Sequence, residues 1–299
     1  MKKGLLYALG AFGLWGFLPV YWKLLQTVPA TEILMHRIVW SLAFLALILT
    51  INRDWQWIQI VRQDSRIWQI YIAIAGLIAA NWFIYIWAVN NGFIIETSLG
   101  YFINPLVSVL LGVVFLKEKL RLGQWFAVSS AAIGVIYLTV WYGSLPWLAL
   151  ALAFSFGIYG LLKKTSKLNA LHGLSLETMI LFPIAAGYLI FIEGLGQGQF
   201  GHVSFQIDTL LIVSGAITAI PLLLFAAAAQ RIPLYMVVLM QYIAPTIQLV
   251  LGIYIYHEPF EPQRLVGFSF VWLALIIYTV EGIMDRRKGI LQTRKQALT

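Results

Sequence analysis

The chain has 299 residues, of which 61% are hydrophobic and only 11% are charged, and its mean hydropathy is +0.85. Soluble proteins are about a quarter charged, so this composition excludes a soluble enzyme and predicts a polytopic membrane protein. The chain has no cysteine, which excludes disulfides, iron–sulfur clusters and Cys-based zinc sites.

Apolar runs that are long enough to cross a bilayer follow one another along the whole chain. A crossing takes about 20 residues, and on this basis we predict an all-α integral membrane protein with ten transmembrane helices. The predicted spans are 4–25, 33–51, 68–89, 94–115, 123–140, 145–162, 173–192, 209–228, 235–256 and 265–282. The longer connection 52–67 mixes Trp55, Trp57 and Ile58 with arginines, which predicts an amphipathic segment at the membrane interface.

The basic residues predict the orientation of the spans. With a cytoplasmic N-terminus, 17 of the 20 Lys and Arg residues lie in inner segments, and Arg264 alone lies in an outer connection. The positive-inside rule therefore predicts that both termini are cytoplasmic in the cell (inner or plasma) membrane, with a basic tail at 286–299. Topology accounts for the net charge of +8, so no nucleic-acid partner is predicted.

An internal repeat appears when the chain is compared with itself at a shift of 140 residues. Spans four and nine share a mid-helix proline, a Leu-Gly pair and a glutamate just past the end. The matching residues are Pro105, Leu111, Gly112 and Glu118 in span four, and Pro245, Leu251, Gly252 and Glu258 in span nine. Five spans separate the equivalents, an odd number, so we predict two inverted five-helix repeats, 1–143 and 144–285, around a central cavity.

Neutral polar and aromatic side chains in the spans are candidates for a substrate site. Thr97, Tyr101, Asn104 and Ser108 follow one helical face, and the mid-helix prolines free backbone carbonyls beside such faces. The alternative is that these groups join packed helices and that the aromatic rings serve packing. The predicted substrate-binding residues are Trp15, Asn81, Trp82, Tyr85, Tyr101, Asn104, Tyr159, Gln241 and Gln248.

Charged residues within spans are candidates for gating or for coupling to protons, since a charge in hydrocarbon is costly. The candidates are Lys23, His36, Arg37 and Glu96 near the outer surface and Glu177 near the inner surface. Arg37 and Glu177 are equivalents in the repeat and lie on opposite sides, so they do not form a predicted pair. Arg37 and Glu96 have matching depths, which predicts an ion pair at the outer mouth.

Three segments resemble one known family. They are PATEI at 29–33 with His36 and Arg37, Asn81-Trp82 with WAVN at 87–90, and ETSLGYFINPL at 96–106. They resemble the RarD-type branch of the EamA group in the drug/metabolite transporter superfamily, and the resemblance runs essentially end to end. It implies a ten-helix, two-repeat fold and export of small metabolites or drugs, such as amino-acid-like or chloramphenicol-like molecules.

The functional prediction is a secondary transporter that exports a small molecule by alternating access. The alternatives are an intramembrane enzyme or a non-transporting membrane scaffold. The chain has neither H-E-x-x-H nor G-x-S-x-G, and a G-x-G-x-x-G match at 196–201 lies in an outer connection without a preceding strand. We therefore predict no catalytic residue, metal or cofactor, and we name the lipid bilayer, a small-molecule substrate and a coupling proton as partners.

Overall fold

A computed structural model describes residues 2–117, 119–166, 168–229, 231–232, 236 and 240–296. These residues form helices and connections without a strand. The helices are α1 (Lys2–Leu24), α2 (Ala30–Ile51), α3 (Trp57–Gln63), α4 (Ser65–Asn90), α5 (Ile94–Leu116), α6 (Leu122–Tyr142), α7 (Trp147–Thr165), α8 (Ala170–Gly194), α9 (Phe205–Ala229), α10 (Ile243–Val250) and α11 (Pro262–Gln296). A π-helical turn, Leu251–Ile255, continues α10.

The helices follow the apolar runs, because a chain in hydrocarbon must satisfy its backbone hydrogen bonds internally. Eight helices in the described part are long and apolar enough to cross a membrane, and the shorter apolar helices Trp147–Lys163 and Ile243–Ile255 match predicted spans six and nine. The start of span nine falls mostly outside the described residues. The all-α membrane class is confirmed.

The predicted amphipathic segment at 52–67 contains helix α3. Trp57 and Val61 on this helix are buried in a cluster that includes Tyr71 and Leu176. The Trp57 ring stacks on the His172 ring with centroids 5.4 Å apart. The segment therefore packs onto the bundle through its apolar side.

Small residues allow several helices to approach closely, as is usual where helices pack in a membrane. A Cβ atom at Gly215 of α9 would collide with the backbone carbonyl group of Trp40 in α2. A Cβ atom at Gly100 of α5 would lie 2.8 Å from the carbonyl oxygen of Ala149 in α7. These contacts fix the α2–α9 and α5–α7 pairs, which together bring the predicted site residues into the bundle interior.

Equivalent helices begin and pack in equivalent ways. Helices α2 and α8 begin at 30 and 170, α4 and α9 at 65 and 205, and α6 and α11 at 122 and 262, so each pair begins 140 residues apart. A Cβ atom at Gly16 of α1 would meet Ile247 of α10 at 2.8 Å, and a Cβ atom at Gly157 of α7 would meet Val107 of α5 at 3.1 Å. The chain therefore uses the same helix contacts twice.

The bundle has two end faces, which we name from the predicted orientation. The predicted outer face carries the connections 25–29, 91–93, 143–146, 195–204 and 256–261. The predicted inner face carries the connections at 52–56, 119–121 and 168–169.

Candidate functional site

Arg37 is the centre of a buried cluster between α2, α4 and α9. Arg37 is only 5% exposed, and its Nε donates a hydrogen bond to Thr218 Oγ1 at 2.7 Å. The guanidinium carbon lies 3.9 Å from the centre of the Trp82 ring and 5.1 Å from that of Trp22. Both distances are within the range of a cation–π interaction, which partly replaces the lost hydration of the cation.

Two tyrosines complete this Arg37 cluster. Tyr85 and Tyr101 pack in the same cluster as Trp22 and Trp82, and their rings meet edge to face with centroids 5.6 Å apart. Three predicted substrate-binding residues, Trp82, Tyr85 and Tyr101, therefore lie in the same cluster as a residue that was predicted as a gate.

Arg37 has no carboxylate partner within the described part of the chain. Its Nη1 is buried without a hydrogen-bond partner there, and so is the hydroxyl of Tyr85. The predicted ion pair between Arg37 and Glu96 is not formed in this structure. The reason is that Arg37 is directed toward α4 and α9 by Trp82 and Thr218, whereas Glu96 lines a separate cavity.

The cavity beside Glu96 opens near the predicted outer face and has a volume of about 290 Å³. The cavity has aromatic walls, formed by Trp87, Phe93 and Trp147. Glu96 and Arg264 also line it. The Trp87 ring stacks on Phe93 with centroids 5.9 Å apart. We call this aromatic cavity, which is also lined by a carboxylate and a guanidinium, the vestibule.

Lys23, the second predicted outer cation, lies near the end of α1. Its Nζ donates to the carbonyl of Asn90 at 3.3 Å and lies 5.6 Å from the centre of the Tyr256 ring. Lys23 therefore links the ends of α1 and α4 to the connection after α10, instead of extending toward lipid headgroups.

Glu258 fastens the same connection to the start of α5. Its two carboxylate oxygens accept hydrogen bonds from the backbone N–H groups of Ile94 and Ile95, both at 2.8 Å. The first N–H groups of a helix have no partner within the helix and favour a negative charge. Burial raises the pKa of Glu258, while the two N–H donors and nearby Lys23 and Arg264 oppose the rise.

Glu177 forms a second charged cluster, on the side of the predicted inner face. Its carboxylate is fully buried and lies 2.6 Å from Lys163 Nζ, and the Tyr159 hydroxyl donates to it at 3.3 Å. Lys163 Nζ also lies 5.4 Å from the centre of the Tyr71 ring. Tyr159, predicted as a wall of the substrate site, belongs here and not with Arg37.

Two of the predicted polar site residues join neighbouring helices. Asn81 donates to Ser155 Oγ at 2.9 Å and to the carbonyl of Leu152 at 3.2 Å. Gln248 Nε2 donates to the carbonyl of Trp15 at 3.1 Å. These bonds connect α4 with α7 and α1 with α10, which is the alternative role that the sequence left open for such groups.

The remaining predicted site residues differ in their surroundings. Asn104 is 4% exposed, and its Oδ1 has no partner among the described atoms. The Trp15 ring contacts Phe12 and Phe225, with centroids 5.5 and 5.8 Å away. Gln241 lies partly exposed in the turn before α10.

His36 packs beneath the connection at 195–204. Its ring lies 4.9 Å from that of Phe200, and its Nε2 is 3.9 Å from the Glu32 carboxylate. Glu32 also accepts from the backbone N–H groups of Gln199 at 2.7 Å and Phe200 at 3.3 Å. Glu32 and His36 thus fasten this connection to the start of α2.

Sequence reasoning missed several residues of these clusters. Trp22, Thr218 and Lys163 were not selected, and Glu258 was noted only as a repeat equivalent. Thr218 carried no signal beyond being polar within an apolar run, since its partner lies 181 residues away.

Comparison with known proteins agrees with this architecture. The model of the EamA-like transporter family matches residues 2–140. An uncharacterized transporter of Bacillus subtilis (strain 168), YojE, is 50% identical over 96% of both chains. Protein RarD of Streptomyces exfoliatus is 45% identical over 96% of this chain and 91% of its own. Protein RarD of Escherichia coli (strain K12) is 42% identical over 96% of this chain and 97% of its own.

A solved structure described as "Crystal structure of protein" has the same overall fold. It shares 16% sequence identity and a TM-score of 0.60 with this structure, over 93% of this chain and 97% of its own. At this identity the likeness concerns the fold alone. From the full-length relatives, the chain belongs to the RarD-type branch of the EamA-like transporter family, and it is a multi-pass membrane transporter of the drug/metabolite superfamily.

Proposed function

We propose that this protein is a secondary transporter that exports small amphipathic metabolites or drugs by alternating access. The observation that carries the proposal is a set of buried polar atoms without partners among the described residues, inside an otherwise apolar bundle. They include Arg37 Nη1, Tyr85 Oη, Asn104 Oδ1 and Gln248 Oε1, which all belong to residues predicted to take part in transport. A buried polar group without a hydrogen bond is unfavourable, so such a set favours a site that a substrate or water fills.

The alternating-access mechanism rests on two inverted repeats, 1–143 and 144–285, around a central cavity. The 140-residue offsets between helix starts and the matched Gly16–Ile247 and Gly157–Val107 contacts support this division, as does the family match to 2–140. Inverted repeats rock against each other around a site near the bilayer midplane. The Glu258 and Glu32 contacts then close the outer side and open when the site faces outward.

A proton is the coupling ion in this proposal, and Glu96 is the group we favour for carrying it. Glu96 lines the vestibule near the predicted outer face. Glu177 is already hydrogen-bonded to Lys163 and Tyr159, and His36 is buried against Phe200 beneath the 195–204 connection and does not line this vestibule. Substrate uptake into inside-out vesicles, which corresponds to export from the cell, should therefore be driven by an imposed pH gradient, and Glu96→Gln should remove this dependence while leaving exchange.

The test of transport uses export by whole cells. Untargeted metabolomics of the medium compares a deletion strain carrying the wild type, the Asn104→Leu variant or an empty vector. At least one compound should accumulate outside only with the wild type. Asn104→Leu should remove this accumulation at normal expression and unfolding temperature. The same compounds at the same levels in the media of all three strains would contradict the proposed transport function. A misfolded Asn104→Leu variant would show that Asn104 is a packing residue.

The cell-membrane location and the cytoplasmic position of both termini are also part of the proposal, supported by the distribution of basic residues. Reporter fusions after Lys167 and after Gln197 should report opposite sides of the membrane. Fusions that report the same side would contradict the orientation.

A further inference from the structure

We infer that Arg37 binds the carboxylate of a monoanionic organic substrate, at a site that includes Trp22, Trp82 and Tyr85. This inference rests on the proposed transport function and assigns a chemical class to its substrate. It also changes the role of Arg37 from an outer gate to a substrate ligand.

Arg37 has no counter-ion in the described structure. It is 5% exposed in the bundle interior, and no acidic side chain in the described ranges forms an ion pair with it. A buried charge is normally paired, since an uncompensated one is strongly unfavourable. Two other cations of the bundle do pair with carboxylates, Lys163 with Glu177 at 2.6 Å and Arg121 with Glu281 at 3.5 Å. The buried charge of Arg37 therefore points to a partner supplied by another molecule.

The guanidinium of Arg37 is held on one side only. Its central carbon lies 3.9 Å from the Trp82 ring centre, and its Nε donates to Thr218 at 2.7 Å. The cation–π contact and this bond hold the group, while Nη1 has no partner in the described structure. A fixed guanidinium with free N–H groups matches the two oxygens of a carboxylate, which it binds through parallel hydrogen bonds.

Two further hydrogen-bond donors near Arg37 lack a partner among the described residues. Trp22 faces Arg37 with its ring, and its Nε1, which can only donate, has no acceptor among the described residues. The Tyr85 hydroxyl is likewise without a partner. Donors gathered around a cation suit an anion and disfavour an ammonium or a metal ion. The rings of Trp82 and Tyr101 provide apolar surface for the body of the substrate.

The charge of the site separates a monocarboxylate from other anions. One guanidinium neutralises one negative charge, so a phosphate dianion would leave a net charge in the membrane interior. Chloride would satisfy the charge but would make no use of the fork geometry or of the aromatic surface. An organic monocarboxylate matches the single positive charge, the fork geometry of the guanidinium and the aromatic surface.

The binding experiment uses the purified full-length protein in detergent at pH 7. Phenylacetate and hexanoate are titrated against their uncharged amides, phenylacetamide and hexanamide, and binding is measured by calorimetry and by the rise in unfolding temperature. Chloride and inorganic phosphate are titrated as separate probes. We expect the acids to bind about tenfold or more tightly than their amides, because each hydrogen bond to the guanidinium is charge-assisted.

Three variants define the role of Arg37. Arg37→Gln should remove the preference for acid over amide, and Arg37→Lys, which keeps the charge but not the fork, should retain part of it. Arg121→Gln removes an arginine that pairs with Glu281 away from the site, and it should leave the preference unchanged. A merely structural role of Arg37 would change the unfolding temperature without changing the ratio of acid to amide binding.

The outcomes distinguish this inference from the proposed function. Equal binding of acids and amides by the wild type, or an unchanged preference in Arg37→Gln, would overturn the carboxylate site. Chloride or phosphate binding that matches and competes with the acids would overturn it in favour of an inorganic anion. If export in the metabolomics test involves only amines or neutral compounds, transport stands and the carboxylate site fails. If the acids bind but no exported compound changes, the site stands and transport fails.

Discussion

Arg37 and Glu177 occupy equivalent positions in the two halves, yet the chain treats their charges differently. Each is the eighth residue of its helix, and the helices begin at Ala30 and Ala170. Glu177 is satisfied by Lys163 and Tyr159 from the neighbouring helix. Among the described residues, Arg37 has one hydrogen-bond partner, Thr218, and two aromatic rings but no counter-ion. The charge that is paired within the chain stabilises the fold, and the charge without a counter-ion in the described part is the one that we propose binds a ligand.

The largest expected effect is at the paired cluster. Lys163→Met leaves the fully buried Glu177 without its cation, and breaking a buried pair in this way should destabilise the protein by about 3 kcal/mol. The unfolding temperature in detergent measures the loss. The double variant Lys163→Met with Glu177→Gln should recover most of it, since the uncompensated charge is gone. Equal stability of Lys163→Met and the wild type would remove the contrast between the clusters.

A second prediction compares the matched glycine contacts of the two halves. Alanine at Gly16 places a methyl group 2.8 Å from Cβ of Ile247, an atom next to the backbone that cannot move aside. Alanine at Gly157 meets the ends of the Leu111 and Val107 side chains at 3.1 Å. We expect Gly16→Ala to cost about 2 kcal/mol and Gly157→Ala less than about 1 kcal/mol. The order of their unfolding temperatures is the measurement, and a reversed order would contradict the stated packing.

The third prediction concerns the sign of the effect at Arg37. Without a ligand, Arg37→Met removes a buried charge that has no counter-ion among the described residues and keeps an apolar side chain of similar length, so the unfolding temperature should stay unchanged or rise. A carboxylate that stabilises the wild type should not stabilise this variant. A loss of stability as large as that of Lys163→Met would show instead that Arg37 is a structural residue.

The smallest effect is expected at a surface pair, which provides a reference for both buried clusters. His202 is exposed, and its hydrogen bond to Glu193 at 2.8 Å, helped by Asp208 and Glu32, raises its pKa above the ordinary 6.5. The pair with Glu193 favours the protonated form of His202. Its contribution to the stability of the protein is therefore present below pH 6.5 and is lost as the pH rises through the raised pKa of His202. NMR titration of the His202 ring measures the pKa, and Glu193→Gln should lower it toward 6.5. An unchanged pKa in this variant would contradict the assigned cause.

The structure brings some of the predicted site residues together and separates others. Trp82 lies against Arg37, and Tyr85 and Tyr101 pack in the same cluster as Trp82. Tyr159 joins Glu177, and Asn81 and Gln248 are used in bonds between helices. Spacing along one helix gives the face on which a residue lies. It does not give the neighbouring helix that this face meets, and the neighbour decides between a site and a contact.

The sequence by itself determined the all-α membrane class and the positions of most spans, because hydropathy is additive along the chain and needs no knowledge of neighbours. It also contained the 140-residue offset that reappears in the helix starts. Only the tertiary structure decided which polar atoms are satisfied. Arg37 bonds with Thr218 across 181 residues, and Glu258 caps α5 across 164 residues. Hydrogen bonds and ion pairs act over a few ångströms in space, so their partners are set by helix packing and not by spacing in the chain.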